Sequence, residues 1–169
     1  MRLERQLGFF DFLFPPVLGD ATIRVVAPAA FAGRTIAVRF VLRTFNLEKT
    51  NEFAAVSVPG LNGQPLQFVR GQSRTLSMVL HFDGRATNTD VRQSMQDVTS
   101  LMRIDGDTHA PPVLSFEWTG FLLKCVLTSS TIRKFRSLFP DGRPSRGQMN
   151  VTFKEFHTLE ELLRELNLQ

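Results

Sequence analysis

Between Thr75 and Phe82 the chain changes side at every residue. Leu76, Met78, Leu80 and Phe82 fall on one parity, and Thr75, Ser77, Val79 and His81 on the other. A period of two suits an extended strand with one buried face. The same rule returns at Ile36, Val38, Phe40 and Leu42, set against Ala37, Arg39, Val41 and Arg43. It returns again at Met149, Val151 and Phe153, set against Asn150, Thr152 and Lys154. A chain with several half-buried strands has to fold as sheet that covers its own apolar side.

The rest of the chain fits around these strands. Ile23 to Ala27 reads as a short strand stopped by Pro28, and Val113 to Trp118 as another, with Leu114, Phe116 and Trp118 on one face. Phe121 to Ser129 follows a turn at Gly120. Then come Ile132 to Leu138, the turn Phe-Pro-Asp-Gly-Arg-Pro (139–144), and Gln148 to Phe156. Two segments change to helical spacing. Val91, Met95, Val98 and Met102 predict an amphipathic helix over Asp90 to Met102, with Thr89 as its N-cap and Asp90 in its first turn. Thr158 and Glu161 make a capping box for a second helix, whose stripe is Leu159, Leu162, Leu163 and Leu166. Strands, helix, strands, helix, joined by hairpin turns, predict an α+β fold: an antiparallel β-barrel or sandwich with a flanking α-helix and a short C-terminal helix. At 169 residues this is one domain. Residues 1–20 form an N-terminal arm, 21–157 the barrel domain and 158–169 the C-terminal helix.

Cys125 is the only cysteine, which excludes an intramolecular disulfide and a thiolate metal cluster. Its apolar setting, Phe-Leu-Leu-Lys-Cys-Val-Leu, suits a buried inert thiol. His81, His109 and His157 lie in three different kinds of element. His81 and Asp83 share a strand face, but a third ligand is missing. No phosphate loop, nucleophile elbow, zinc-binding helix or dinucleotide fingerprint occurs. Asp105 and Asp107 sit in a glycine-containing turn, whose chemistry accounts for them. No catalytic residue, metal ligand or cofactor is assigned.

Sixteen Arg stand against four Lys, which favours forked contacts with carboxylates or phosphates. The net charge is only +4, with no long basic run. Lys134 to Phe139 is the nearest match to the mixed aromatic and basic face of a single-strand nucleic-acid binder, although an amphipathic hairpin arm has the same pattern. No segment reaches the roughly 18 apolar residues of a membrane span. Leu7 to Gly19 comes nearest, interrupted by Asp11 and by Pro15 and Pro16. It reads as an apolar arm that docks on its own domain, a neighbouring subunit or a membrane surface.

The connection leading into Thr75 is harder to explain as simple linkage. The Asn51–Gly71 connection is apolar and rich in turn signals, and within it Ser57 to Pro65, Ser-Val-Pro-Gly-Leu-Asn-Gly-Gln-Pro, reads as a loop. A chain with nothing to bind would make it shorter and more polar. Exposed apolar segments rimmed with charge mark interfaces. The arm, the Pro59 to Leu61 loop and the flank of the Phe139 turn are of that kind.

Four ordered blocks carry a resemblance. Val58 to Asp83, Thr89 to Arg92, Ile104 to Trp118 and Leu138 to Glu161 together resemble the tube-adaptor family of contractile injection systems, phage-tail-like particles that drive a rigid tube through a target membrane. The likeness runs from about Ala21 to Leu163. It implies a β-barrel of phage-tail-tube type and a structural, non-enzymatic subunit, forming a hexameric ring that joins the inner tube to the spike and baseplate. The alternative within the family is a first tube layer, or tube initiator. The implied partners are further copies of the chain, the tube or tube-initiator protein, the spike and the baseplate wedge proteins. Nucleic acid and direct membrane insertion are not implied. Assembly would be cytoplasmic, into a particle that is released or membrane-anchored.

The resemblance also gives the connection a role, as a lap joint onto the adjacent subunit. Glu52, Val58, Pro59, Gly60, Leu61, Phe68, Arg70 and Gly71 become interface candidates. Phe68 is the anchor; Gly60, Gly63 and Gly71 permit close approach, and Arg70 pairs with a neighbour's carboxylate. Thr75 and Ser77, and Asn150, Thr152 and Lys154, are candidates to line the lumen. Phe40 to Phe45 departs from the family's Phe-Asn-Pro-Thr-Glu-Tyr segment. Many relatives continue into a LysM module after the Phe-Lys-Glu strand, so contacts made by that module are expected here to be absent or supplied by another protein.

Overall fold

The computed structural model describes residues 17–29 and 31–167. In chain order the elements are β1 (Leu18–Ala27), β2 (Thr35–Val41), β3 (Asn46–Glu48), β4 (Asn51–Ala55), β5 (Leu66–Gly71), β6 (Thr75–Asp83), α1 (Val91–Ser100), β7 (Val113–Trp118), β8 (Phe121–Leu138), β9 (Pro144–Glu155) and α2 (Leu159–Asn167). The predicted α+β class holds: the chain is mostly antiparallel sheet with two short helices.

Seven strands form one sheet in the order β2-β1-β7-β8-β9-β6-β3, and β2 also pairs with β6, which closes it. The closing seam is short, with only Arg39 opposite His81 and Phe40 opposite Leu80. β3 and β2 take successive lengths of the same edge of β6, since β3 occupies Thr75 to Ser77. Thr44, in a 3₁₀ turn at Leu42–Thr44, bridges the handover. Its Oγ1 donates to the Val41 carbonyl at 2.6 Å and accepts from the Val79 N–H at 2.9 Å.

The inward parity of each strand packs the core as the alternation predicts. Ile23, Phe40, Leu76, Leu80, Leu114, Phe116, Met149 and Phe153 are fully buried. Phe40, Phe45, Phe116, Trp118 and Phe121 form a chain of tilted and edge-on ring contacts at 5.2–6.3 Å, which suits the ring quadrupole. Val91, Met95 and Val98 of α1 complete the core from the side where β2 leaves β6. Gly147 makes room for them, because a Cβ there would collide with the Met95 methyl.

Several boundaries differ from expectation, each for a local reason. β8 is one strand of 18 residues rather than two; three bulges between Leu127 and Ser137 shift its parity, which reads in sequence as a break. β9 starts at Pro144 instead of Gln148, since proline is tolerated at a strand's first position. β2 stops at Val41, so Leu42 is exposed rather than inward. α1 is capped by Asp90, not Thr89: its carboxylate accepts the Arg92 N–H at 2.9 Å and is gripped by the Arg92 guanidinium. Met102 lies just past the helix but still packs on the core. β1 reaches back to Leu18, taking Leu18, Gly19 and Asp20 from the expected arm; residues 1–16 lie outside the described residues. The Thr158–Glu161 capping box is present, each backbone N–H donating to the other's side chain.

Candidate subunit interface and lumen face

The connection expected to be a loop has paired ends. β4 and β5 make a hairpin in which Asn51 faces Gly71, Glu52 faces Arg70 and Phe53 faces Phe68, with a bulge between Glu52 and Phe53. Neither strand pairs with the main sheet. The Phe53 and Phe68 rings meet edge-on at 5.7 Å, yet they are 52% and 58% exposed. Val56, Val58, Leu61, Leu66 and Val69 are exposed as well. A lone two-stranded hairpin is marginal in water, and this one carries a half-exposed aromatic pair.

Arg70 has a partner inside its own hairpin: its Nε donates to Glu52 Oε2 at 2.6 Å. Gly60 is at φ +89° in the turn, and nothing lies within 4 Å of a Cβ built there or at Gly63. Gly71 is not crowded either; its nearest neighbour would be Asn51 Oδ1 at 3.5 Å. Pro59, Gly60 and Leu61 form the exposed tip.

The root of the hairpin is clamped. Arg74 donates to Glu155 from its backbone N–H and Nε, both at 2.9 Å, and from Nη2 at 2.5 Å. Those bonds hold the Glu155 carboxyl down at about 2. Beside this clamp lies a cleft of about 540 Å³ lined by Phe68, Phe156, Leu162 and Leu166 among others. α2 leaves Leu159, Leu162, Leu163 and Leu166 exposed, so its apolar stripe is not spent on its own barrel. Sequence reasoning found the stripe but not its exposure. It missed Phe53 altogether, and the only signal for Phe53 was its position opposite Phe68 once the pairing is known.

The five polar positions named as lumen candidates come together. Thr75 faces Lys154, Ser77 faces Thr152, and Asn150 continues the same face opposite Val79. Asn46 and Glu48 of β3 extend it on one side, and Ser129 and Thr131 of β8 on the other. It is one polar surface across β3, β6, β9 and β8, with α1 packed against the opposite, core side. Cys125 is buried in that core, and burial pushes its thiol up to about 12. Among the described residues no group of three or more His, Cys, Asp or Glu side chains could hold a metal ion, and no helix is long and apolar enough to cross a membrane.

Among curated proteins no match was found. Of solved structures, the chain resembles the SPP1 Dit (gp 19.1) protein, described as a paradigm of hub adsorption apparatus in phages that infect Gram-positive bacteria. The TM-score is 0.48 at 12% identity, over 80% of this chain and 49% of that one, so the chain spans about half its length. The family model described as contractile injection system tube protein matches residues 21–164, taking in nearly all of the barrel, the hairpin, α1 and part of α2, and the chain belongs to that family.

Proposed function

We propose that this tube protein is a structural, non-enzymatic subunit that closes into a ring of six and joins the inner tube of a contractile injection system to its spike and baseplate. The observation that carries this reading is the uncovered β4–β5 hairpin. It projects an aromatic pair and two free strand edges, and edges of that kind are satisfied by adding to a neighbour's sheet. In the ring, the hairpin of one subunit lies against the next, and the leucine stripe of α2 beside the Phe68 cleft gives it an apolar floor. Glu52, Val58, Pro59, Gly60, Leu61, Phe68, Arg70 and Gly71 then lie at the subunit contact. The Thr75–Ser77 and Asn150–Lys154 face lines the channel, where a polar surface lets cargo pass without sticking.

Further copies of the chain, the tube protein, the spike and the baseplate wedges are the partners in this reading, assembled in the cytoplasm. The test is light scattering and electron microscopy of the chain mixed with tube and spike proteins. Six-fold rings between the two support the reading. A chain that stays monomeric with both partners present overturns it, and rings stacked only on tube, away from the spike, make it a first tube layer instead.

A further inference from the structure

Among the described residues, three buried side-chain polar atoms have no hydrogen-bond partner: His81 Nδ1, Arg146 Nε and Ser137 Oγ. They are not scattered. Asp83, Arg146 and Ser137 stand in one row across β6, β9 and β8, and His81, Gln148 and Lys134 stand in the next. Arg146 is directly opposed to Ser137, about 5 Å away, and diagonal to His81, roughly 7–8 Å away, so it stands between the other two. By parity they lie on the outer face, beyond Asn150 toward the β8–β9 turn. His81 and Gln148 are nevertheless only 6% and 7% exposed. Buried polar groups are nearly always paired, so three unmet atoms in two adjacent rows call for an occupant.

The charge around them indicates which kind. Burial, and then Arg146, Arg136 and Arg39, push His81 down, against the pull of Asp83 alone. Asp83 is taken up by Arg85, whose Nε and Nη2 lie 2.9 and 2.7 Å from its oxygens; Arg146 Nε stands 3.6 Å from it, outside hydrogen-bonding distance. A guanidinium N–H donates, and a hydroxyl and the Nδ1–H tautomer of an imidazole can both donate to the same acceptor. Water has two acceptor sites, and an oxyanion has more, with a charge that suits the positive surroundings. A cleft of about 660 Å³, lined also by Asp20, Arg39, Asp83 and Asp97, reaches the His81 end of this row.

We propose that His81, Arg146 and Ser137 form a binding site for one small oxyanion, a phosphate or a carboxylate. The ligand accepts hydrogen bonds from all three side chains. Free phosphate and an acidic side chain of a partner protein offer the same chemistry.

The test is thermal unfolding of the full chain at pH 7 and constant ionic strength, with chloride replaced by inorganic phosphate or by a triglutamate peptide. A rise of about 2–4 °C with phosphate is expected at saturation, together with movement of the His81 ring-nitrogen NMR signals along the same titration curve. Ser137→Ala should unfold no lower than wild type without the anion, because it loses only an unmet hydroxyl, and should respond weakly to phosphate. Arg146→Met should not respond, while Arg24→Met, on an exposed position of β1, should respond as wild type does. A response to phosphate alone identifies a free-anion site; a response to triglutamate identifies a site for a partner's acidic side chain. No response to either anion, or equal responses in wild type, Ser137→Ala and Arg146→Met, overturns the proposal.

Discussion

Arg70 and Glu52 face each other across the β4–β5 hairpin, with the guanidinium Nε 2.6 Å from the carboxylate, and both are open to solvent. An exposed pair of this kind contributes little to stability. Arg70→Ala should therefore leave monomer unfolding within about 0.5 kcal/mol of wild type. Assembly should suffer more, because the pair becomes desolvated when a neighbour covers the hairpin, and an unpaired Glu52 is costly there. Arg70→Lys should recover only part of the yield, lacking the fork. Urea unfolding of the monomer, set beside the particle yield of each variant, checks this; equal yields would remove Arg70 from the interface.

Removing one ring of the exposed aromatic pair should separate folding from assembly in the same way. Phe53→Ala changes a side chain that is half in water, so the barrel's unfolding midpoint should barely move, while ring formation falls steeply. A large drop in monomer stability would show instead that the hairpin supports its own barrel.

Stability should depend on acid through the clamp at the hairpin root. The Glu155 carboxyl sits at about 2 in the folded chain, below its ordinary value of 4.5. A depressed carboxyl contributes fully above the unfolded value and loses its contribution as the pH falls through the folded one. The loss should therefore run from about pH 4.5 down to pH 2. Glu155→Gln should cost about 2–3 kcal/mol at pH 7 and flatten that slope. Asp83 and Glu161, also held at about 2, retain the remainder. Denaturant midpoints measured at half-unit steps of pH test both the direction and the window.

Thr44→Val should cost about 1–2 kcal/mol, because the Val79 N–H loses its acceptor within a nearly isosteric side chain. Thr44→Ser should restore most of it. The measurement is the urea midpoint at unchanged m-value.

Asn150→Cys offers a direct view of the proposed channel. Cys125 is buried and its thiol is pushed up to about 12, so background labelling should be slow. The new thiol should react with small and polymer-linked maleimides in the monomer. In assembled particles only the small reagent should reach it. Equal reaction with both would place Asn150 on an outer surface.

How far the sequence could be read depended on parity. β6 and β9 were legible because their alternation is unbroken on a sheet with one buried side. β8 was not, since its bulges bring Ile132 onto the face of Leu123 and Leu127 although it lies an odd number of residues from them. The hairpin was hidden for the opposite reason: with both faces in solvent, β4 and β5 have no buried side to impose a pattern, and Pro59, Gly60, Asn62, Gly63 and Pro65 announce only the turn. Both halves of the polar face were named from sequence, but their union rests on the register of Thr75 with Lys154, which no local pattern encodes. The grouping of Ser137 with Arg146 was equally out of reach, because a bulge decides on which face Ser137 lies.

The barrel is closed like a strap with a short clasp. Nine residue pairs join β6 to β9, and two join β6 to β2. A load that spreads the barrel sideways meets little resistance at the clasp and much along the strap. The hairpin joins the barrel through β3, on the stretch of the same β6 edge just before the clasp, and through Arg74, which Glu155 of β9 holds on the other edge. In the proposed ring, tension from a neighbouring subunit would enter through β3 beside the weakest line of the molecule, where β2 pairs with β6 at only two positions. Each subunit of that ring would thus carry a place to give way, while the paired strands behind it keep their register.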